Sequence, residues 1–135
     1  MDRVALDTSF LIGLQNEHRG RGAAVGAIAF LRAHATVELL LPTVALGEYL
    51  EGFADPDGDA AQALIAPLRI LDVTADVARV YARVARQLRD AGKLIGTNDL
   101  WIACTAKAAA APIVTRNVEH FSRVPNLDVV RYATG

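Results

Sequence analysis

The sequence holds a single cysteine, Cys104, among 135 residues. One thiol excludes an intramolecular disulfide and any cysteine-based zinc site, and it suits a reducing compartment. Histidine is almost as scarce. His18, His34 and His120 show no paired spacing, which excludes a histidine-bound zinc and a histidine-based nuclease. Lys93 and Lys107 are the only lysines among 14 basic residues, the rest being arginine, whose planar fork suits phosphate. Net charge is −1, which excludes coating of nucleic acid by bulk electrostatics and leaves a local basic surface open. Long apolar runs are also missing. The first, ending at Leu6, has strand length and stops at Asp7, so neither a signal peptide nor a membrane span is expected. The expected location is cytoplasmic.

What is present is globular in kind: 53% hydrophobic and 21% charged residues, in a chain long enough to bury a core without staples. A single domain over residues 1–135 is expected.

Short apolar runs alternate with helix-length segments. Arg3 to Leu6 reads as a strand ending at Asp7, and Thr8 or Ser9 can cap the helix that follows. Arg19-Gly20-Arg21-Gly22 breaks that helix, and a second is expected from Ala23 to about Ala35. Glu38 to Pro42 reads as the second strand, with Thr43 capping a helix to about Ala54. Within that helix Glu48 and Glu51 both lie opposite the apolar stripe at 100° per residue, so periodicity does not choose between them. Gly47 would allow close backbone approach beside Glu48.

Asp55-Pro56-Asp57-Gly58-Asp59 has the front of a calcium loop but no glutamate at its far end, so it reads as a solvated turn and a helix start. Arg69 to Val73 is the third strand. Thr74 caps the longest helix, Ala75 to about Ala91. Its apolar face is Val77, Val80, Tyr81, Val84 and Leu88, and Arg79, Arg83, Arg86 and Arg89 spread over the other. Those arginines suit a phosphate backbone, an acidic partner or plain solvent, and all three readings stay open.

Thr97 or Asn98 can cap the next helix, which places Asp99 in its first turn, where the helix dipole favours an ionised carboxylate. Cys104 on this alanine-rich helix reads as a small buried residue. Pro112 to Thr115 is the fourth strand with Arg116-Asn117 at its carboxyl edge, then a short helix through Phe121, a fifth strand from Leu127 to Tyr132 and a polar tail. Alternating strands and helices imply an α/β fold: a central five-stranded parallel sheet flanked by helices on both faces. Open sheets of this kind bind ligands at the carboxyl ends of their strands, the position of Asp7 and Asn117.

Four stretches carry a resemblance: Leu6-Asp7-Thr8-Ser9, Glu48 with Gly52, Thr97-Asn98-Asp99-Leu100-Trp101-Ile102-Ala103, and Val114-Thr115-Arg116-Asn117 with Phe121. In this order and over essentially the whole chain they resemble a PIN-domain ribonuclease of the VapC toxin type. By that resemblance Asp7, Glu48 and Asp99 take the places of the three main acidic residues, and Asn117 takes a fourth that is often Asp. Asn117 is a departure, offering an oxygen without negative charge. Magnesium, with manganese as an alternative, prefers oxygen ligands and takes one or two carboxylates plus substrate phosphate, which points to Asp7 and Asp99. Glu48 is expected to orient or deprotonate the attacking water, with Thr8 and Thr115 as orienting hydroxyls.

The resemblance further implies an endoribonuclease acting on structured RNA such as tRNA or rRNA, a VapB-type antitoxin, and homodimers or toxin–antitoxin hetero-oligomers. The apolar helices around Leu11 to Leu14 and Val44 to Phe53 are candidate partner surfaces or core. A non-catalytic RNA- or protein-binding module on the same fold is the alternative, motivated by Asn117. A phosphoacceptor receiver domain is disfavoured, because Asp7 stands alone after the first strand and Lys93 and Lys107 lie elsewhere than after a late strand.

Overall fold

The apolar runs of the sequence line up side by side in the computed structural model, which describes residues 1–21 and 26–132. Among these residues β1 (Arg3–Leu6), β2 (Glu38–Pro42), β3 (Arg69–Leu71), β4 (Ile113–Thr115) and β5 (Val129–Arg131) form one sheet, ordered β3-β2-β1-β4-β5. Every pairing is parallel, with Val4 opposite Leu39, Leu6 opposite Val114 and Thr115 opposite Arg131. The chain first builds outward from β1 through β2 to β3, then returns to lay β4 and β5 on the other side. With right-handed crossovers this reversal puts covering helices on both faces. It also opens a crevice between the carboxyl ends of β1 and β4.

The helices are α1 (Thr8–His18), α2 (Ala27–Ala33), α3 (Thr43–Glu51), α4 (Asp59–Ile65), α5 (Ala75–Asp90), α6 (Thr97–Ala108) and α7 (Val118–Phe121). Val4, Ala5 and Leu6 are buried along with Ile113, Val114 and Thr115, as central strands covered on both faces must be. Phe10, Leu40, Leu41, Leu100, Ile102 and Phe121 complete the densest part of the core. Tyr81 of α5 stacks on Trp101 of α6 with centroids 3.8 Å apart, tying these two helices together. Cys104 is buried in α6, and burial pushes its thiol up to about 11, so it packs as a small apolar residue.

Several boundaries differ from expectation. The third strand stops at Leu71 because its partner β2 ends at Pro42, opposite Leu71, and Asp72 and Val73 have nothing to pair with. The fifth strand is likewise cut to the three residues that face β4. The expected start of the second helix at Ala23 lies outside the described residues, as does the polar tail from Ala133; the described α2 follows Gly26, whose φ of 96° suits glycine. Thr74 does cap α5, accepting from the Val77 N–H at 3.2 Å. The caps proposed for α1, α3 and α6 are not made. Asp7, Pro42 and Gly96 occupy those cap positions, and none makes a side-chain cap bond. In the 55–59 turn the Asp55 carboxylate accepts the Asp57 N–H at 3.0 Å, a local turn bond.

Candidate functional site

Asp7 follows the last residue of β1 and stays in its ladder, its N–H bonding the Val114 carbonyl at 3.2 Å. The side chain is therefore held at the carboxyl edge between the two central strands, 4% exposed. Two hydroxyls converge on one of its oxygens: Thr115 Oγ1 donates to Oδ2 at 2.7 Å and Ser9 Oγ at 2.9 Å. Each hydroxyl in turn accepts a backbone N–H, Thr115 from Asn117 at 2.9 Å and Ser9 from Arg116 at 3.4 Å. The turn after β4 thus feeds two amides through two hydroxyls onto Oδ2. No side chain among the described residues donates to Oδ1.

Glu48 projects from α3 toward α1 and α6. Its Oε1 accepts from Thr8 Oγ1 at 2.8 Å and its Oε2 from Asn98 Nδ2 at 3.4 Å, which brings it beside Asp99. Glu51, one turn on, is exposed. The choice that periodicity left open is made by this packing. Gly47 has no part in it, since a Cβ there would meet nothing within 4 Å.

The acids feel one another. Burial raises the Asp7 carboxyl above its ordinary value; the bonds from Thr115, Ser9 and the Thr8 backbone oppose this, and Glu48 adds to it. Asp99 is raised by burial first, then by Asp7 and Glu48, with His120 acting the other way. The helix N-terminus favours the charged form of Asp99, while burial and the two neighbouring carboxylates act against it and leave the net shift upward. No arginine or lysine offsets them, because the ion pairs among the described residues are Arg69–Glu38, Arg79–Asp76 and Arg123–Glu119.

Asn117 ends the turn after β4, and its Nδ2 lies 2.7 Å from His120 Nδ1 on α7. Asp7, Thr8, Glu48, Asp99, Thr115 and Asn117 are therefore gathered at one edge of the sheet, contributed by the ends of β1 and β4 and the starts or middles of α1, α3 and α6. Two further participants, Ser9 and Asn98, stand in the stretches that carry the resemblance but have no site role assigned there beyond capping; Ser9 has a local signal as well, since a hydroxyl two residues after an acid can reach back to it.

Among the described residues no three Asp, Glu, His or Cys side chains form a closed cage for one ion. The donor set is all oxygen, unneutralised and mutually repelling. That composition fits a hard divalent cation that keeps its waters and takes one or two carboxylates, and it does not fit zinc. Away from the site, Arg83, Arg86 and Arg89 are exposed on α5 with no ion-pair partner among the described residues. On α1, Leu11 is core and Ile12 is 47% exposed; on α3, Tyr49 is core and Phe53, just past its end, is half-buried.

A family model for the PIN domain matches residues 4–127. Ribonuclease VapC19 of Mycobacterium tuberculosis is 32% identical over 109 residues, covering 81% of this chain and 86% of that protein. Ribonuclease VapC2 of Rickettsia felis is 42% identical over 60 residues, a match spanning 44% of this chain and 45% of that protein, less than half of each. Among solved structures, VapBC2 from Rickettsia felis, bound to a DNA fragment from their promoter, superposes with a TM-score of 0.80 at 26% identity, over 96% of this chain and 98% of that one. VapBC-1 from nontypeable Haemophilus influenzae gives 0.79 at 25% identity, over 96% and 97%.

Proposed function

Since the chain belongs to the PIN domain family, beside relatives named ribonuclease VapC, we propose that it is a magnesium-dependent endoribonuclease and the toxin of a toxin–antitoxin pair. The observation that carries this reading is the set of uncompensated carboxylates, Asp7, Glu48 and Asp99, sharing one field at the sheet's crevice.

Asp7 and Asp99 would hold the cation. Thr115 and Ser9 bind one Asp7 oxygen and so orient the other, while Thr8 and Asn98 hold Glu48 by both of its oxygens. Glu48 orients the attacking water or takes its proton. Asn117 contributes an amide in the fourth place. Magnesium, or manganese in its stead, supplies charge stabilisation at the phosphate oxygens and a more acidic water. No nucleophilic side chain is required, in keeping with the buried, weakly acidic thiol of Cys104.

The substrate in this reading is structured RNA, tRNA or rRNA, and residues 1–135 act as one domain in the cytoplasm. Its partners are a VapB-type antitoxin and a second toxin copy, in a homodimer or a toxin–antitoxin hetero-oligomer. The names of the superposing complexes support this. No helix among the described residues is long and apolar enough to cross a membrane.

The test is cleavage of total cellular RNA by purified protein with magnesium or EDTA, comparing wild type with Asp7→Asn and Asp99→Asn. Discrete fragments are expected only from wild type with magnesium. Cutting that survives EDTA or either substitution overturns the metal mechanism, and RNA binding without magnesium and without cutting establishes the non-catalytic module instead.

A further inference from the structure

The Asn117 amide carries two N–H donors, for which carboxylates are natural acceptors, and its backbone is one hydroxyl removed from Asp7 at the same edge of the sheet. Its backbone N–H bonds Thr115 Oγ1, itself bonded to Asp7 Oδ2, and its neighbour His120 lies within electrostatic reach of Asp99. Yet Nδ2 goes to neither acid. It goes 2.7 Å to His120 Nδ1. An amide nitrogen has no lone pair to accept with, so in this contact Nδ2 donates and His120 Nδ1 accepts.

We infer that His120 is a positioning residue which, by accepting one N–H of Asn117, turns the amide nitrogen away from the acidic cluster and keeps carboxylate oxygens free for a divalent cation. The inference rests on the nuclease reading above and extends it to a residue outside the acidic set. Where the fourth position is Asp, no donor competes for the acids. With Asn there, a donor competes with the cation for the same lone pairs unless another acceptor occupies it, and His120 is the acceptor one helical turn away on α7. Removing the imidazole frees the amide to bond a carboxylate, and that bond must then be broken before a cation can bind.

The experiment is manganese binding to the purified full chain, followed by electron paramagnetic resonance without RNA, for wild type, His120→Ala, His120→Asn, Asn117→Asp and the double variant Asn117→Asp with His120→Ala. His120→Ala is expected to weaken manganese binding by about tenfold or more, the usual scale for losing an outer partner of a metal site. His120→Asn, which places a carbonyl oxygen near the former Nδ1, restores most of it. In the Asn117→Asp background the loss on His120→Ala falls to about twofold or less, because no amide remains to be held back. Thermal melts of each variant without metal check that the fold is kept. A wild type that binds manganese with no change in His120→Ala overturns this inference alone, as does an equal loss in both backgrounds. A wild type that takes up no manganese overturns the nuclease reading and this inference together.

Discussion

Thr115 Oγ1 and Asp7 Oδ2 meet at 2.7 Å across 108 positions of sequence, and both side chains are buried. The bond ties the carboxyl end of β4 to that of β1 and fixes the orientation of the Asp7 carboxylate. It also opposes the effect of burial on the Asp7 carboxyl.

Thr115→Val keeps the shape, removes the donor to Asp7 and orphans the Asn117 N–H that Thr115 accepts. The change removes a contribution that lowers the Asp7 pKa, so that pKa rises and the acidic limb of the cleavage profile moves to higher pH. Activity at neutral pH is expected to fall about 10- to 100-fold, with a loss of about 1–3 kcal/mol in stability. Rate–pH profiles and denaturant melts check both.

Asp7 and Asp99 titrate above their unfolded value of 3.8 in the folded chain. A raised carboxyl means the native state binds protons more tightly than the unfolded state. The benefit is full below the unfolded pKa and is lost as pH climbs through the raised folded pKa. Once ionised, the two acids therefore cost stability. Asp99→Asn is expected to raise the melting temperature by about 2–5 °C at pH 7, with the gain vanishing near pH 3. Added magnesium should stabilise wild type and have little effect on Asp99→Asn. A variant that melts below wild type at pH 7 contradicts this.

Glu48 is held by Thr8 and Asn98 at the site, while Glu51 faces solvent. Glu48→Gln is expected to reduce cleavage by about 10²- to 10⁴-fold with little change in melting temperature. Glu51→Gln should change neither. Single-turnover rates on a defined RNA separate the two.

Trp101 is the only tryptophan and stacks on Tyr81 with planes 12° apart. Its fluorescence therefore reports the packing of α5 on α6. Tyr81→Phe should leave the melt nearly unchanged, and Tyr81→Ala should cost about 1–3 kcal/mol and alter the emission. Since α6 carries Asp99, the alanine variant should also weaken magnesium stabilisation.

The strands were legible because a central parallel strand is buried on both faces and reads as an unbroken apolar run, as Val4-Ala5-Leu6 and Ile113-Val114 do. Their lengths at the edges were not. A strand extends only as far as its neighbour, and where β2 ends at Pro42, β3 ends too. The short polar residues at helix starts were the least legible. Thr8, Ser9 and Asn98 satisfy the local rule for caps, but Thr8 and Asn98 serve Glu48 and Ser9 serves Asp7. Each of these side chains donates to a carboxylate, and the rotamer that does so turns it away from the backbone N–H groups a cap would accept.

The sequence by itself determined the alternation that makes a parallel α/β sheet, the carboxyl-edge address of Asp7 and Asn117, and the oxygen-only chemistry that scarce cysteine and histidine leave. These follow from periodicity, strand ends and composition, all readable along one dimension. Only the tertiary structure decided that Thr8 and Asn98 hold Glu48 while Glu51 faces solvent, that burial and neighbouring carboxylates raise Asp99 despite its helix dipole, and that Asn117 turns to His120. Each depends on which groups share a desolvated space, and a field that falls off over a few ångströms depends on distances that spacing along the chain does not contain.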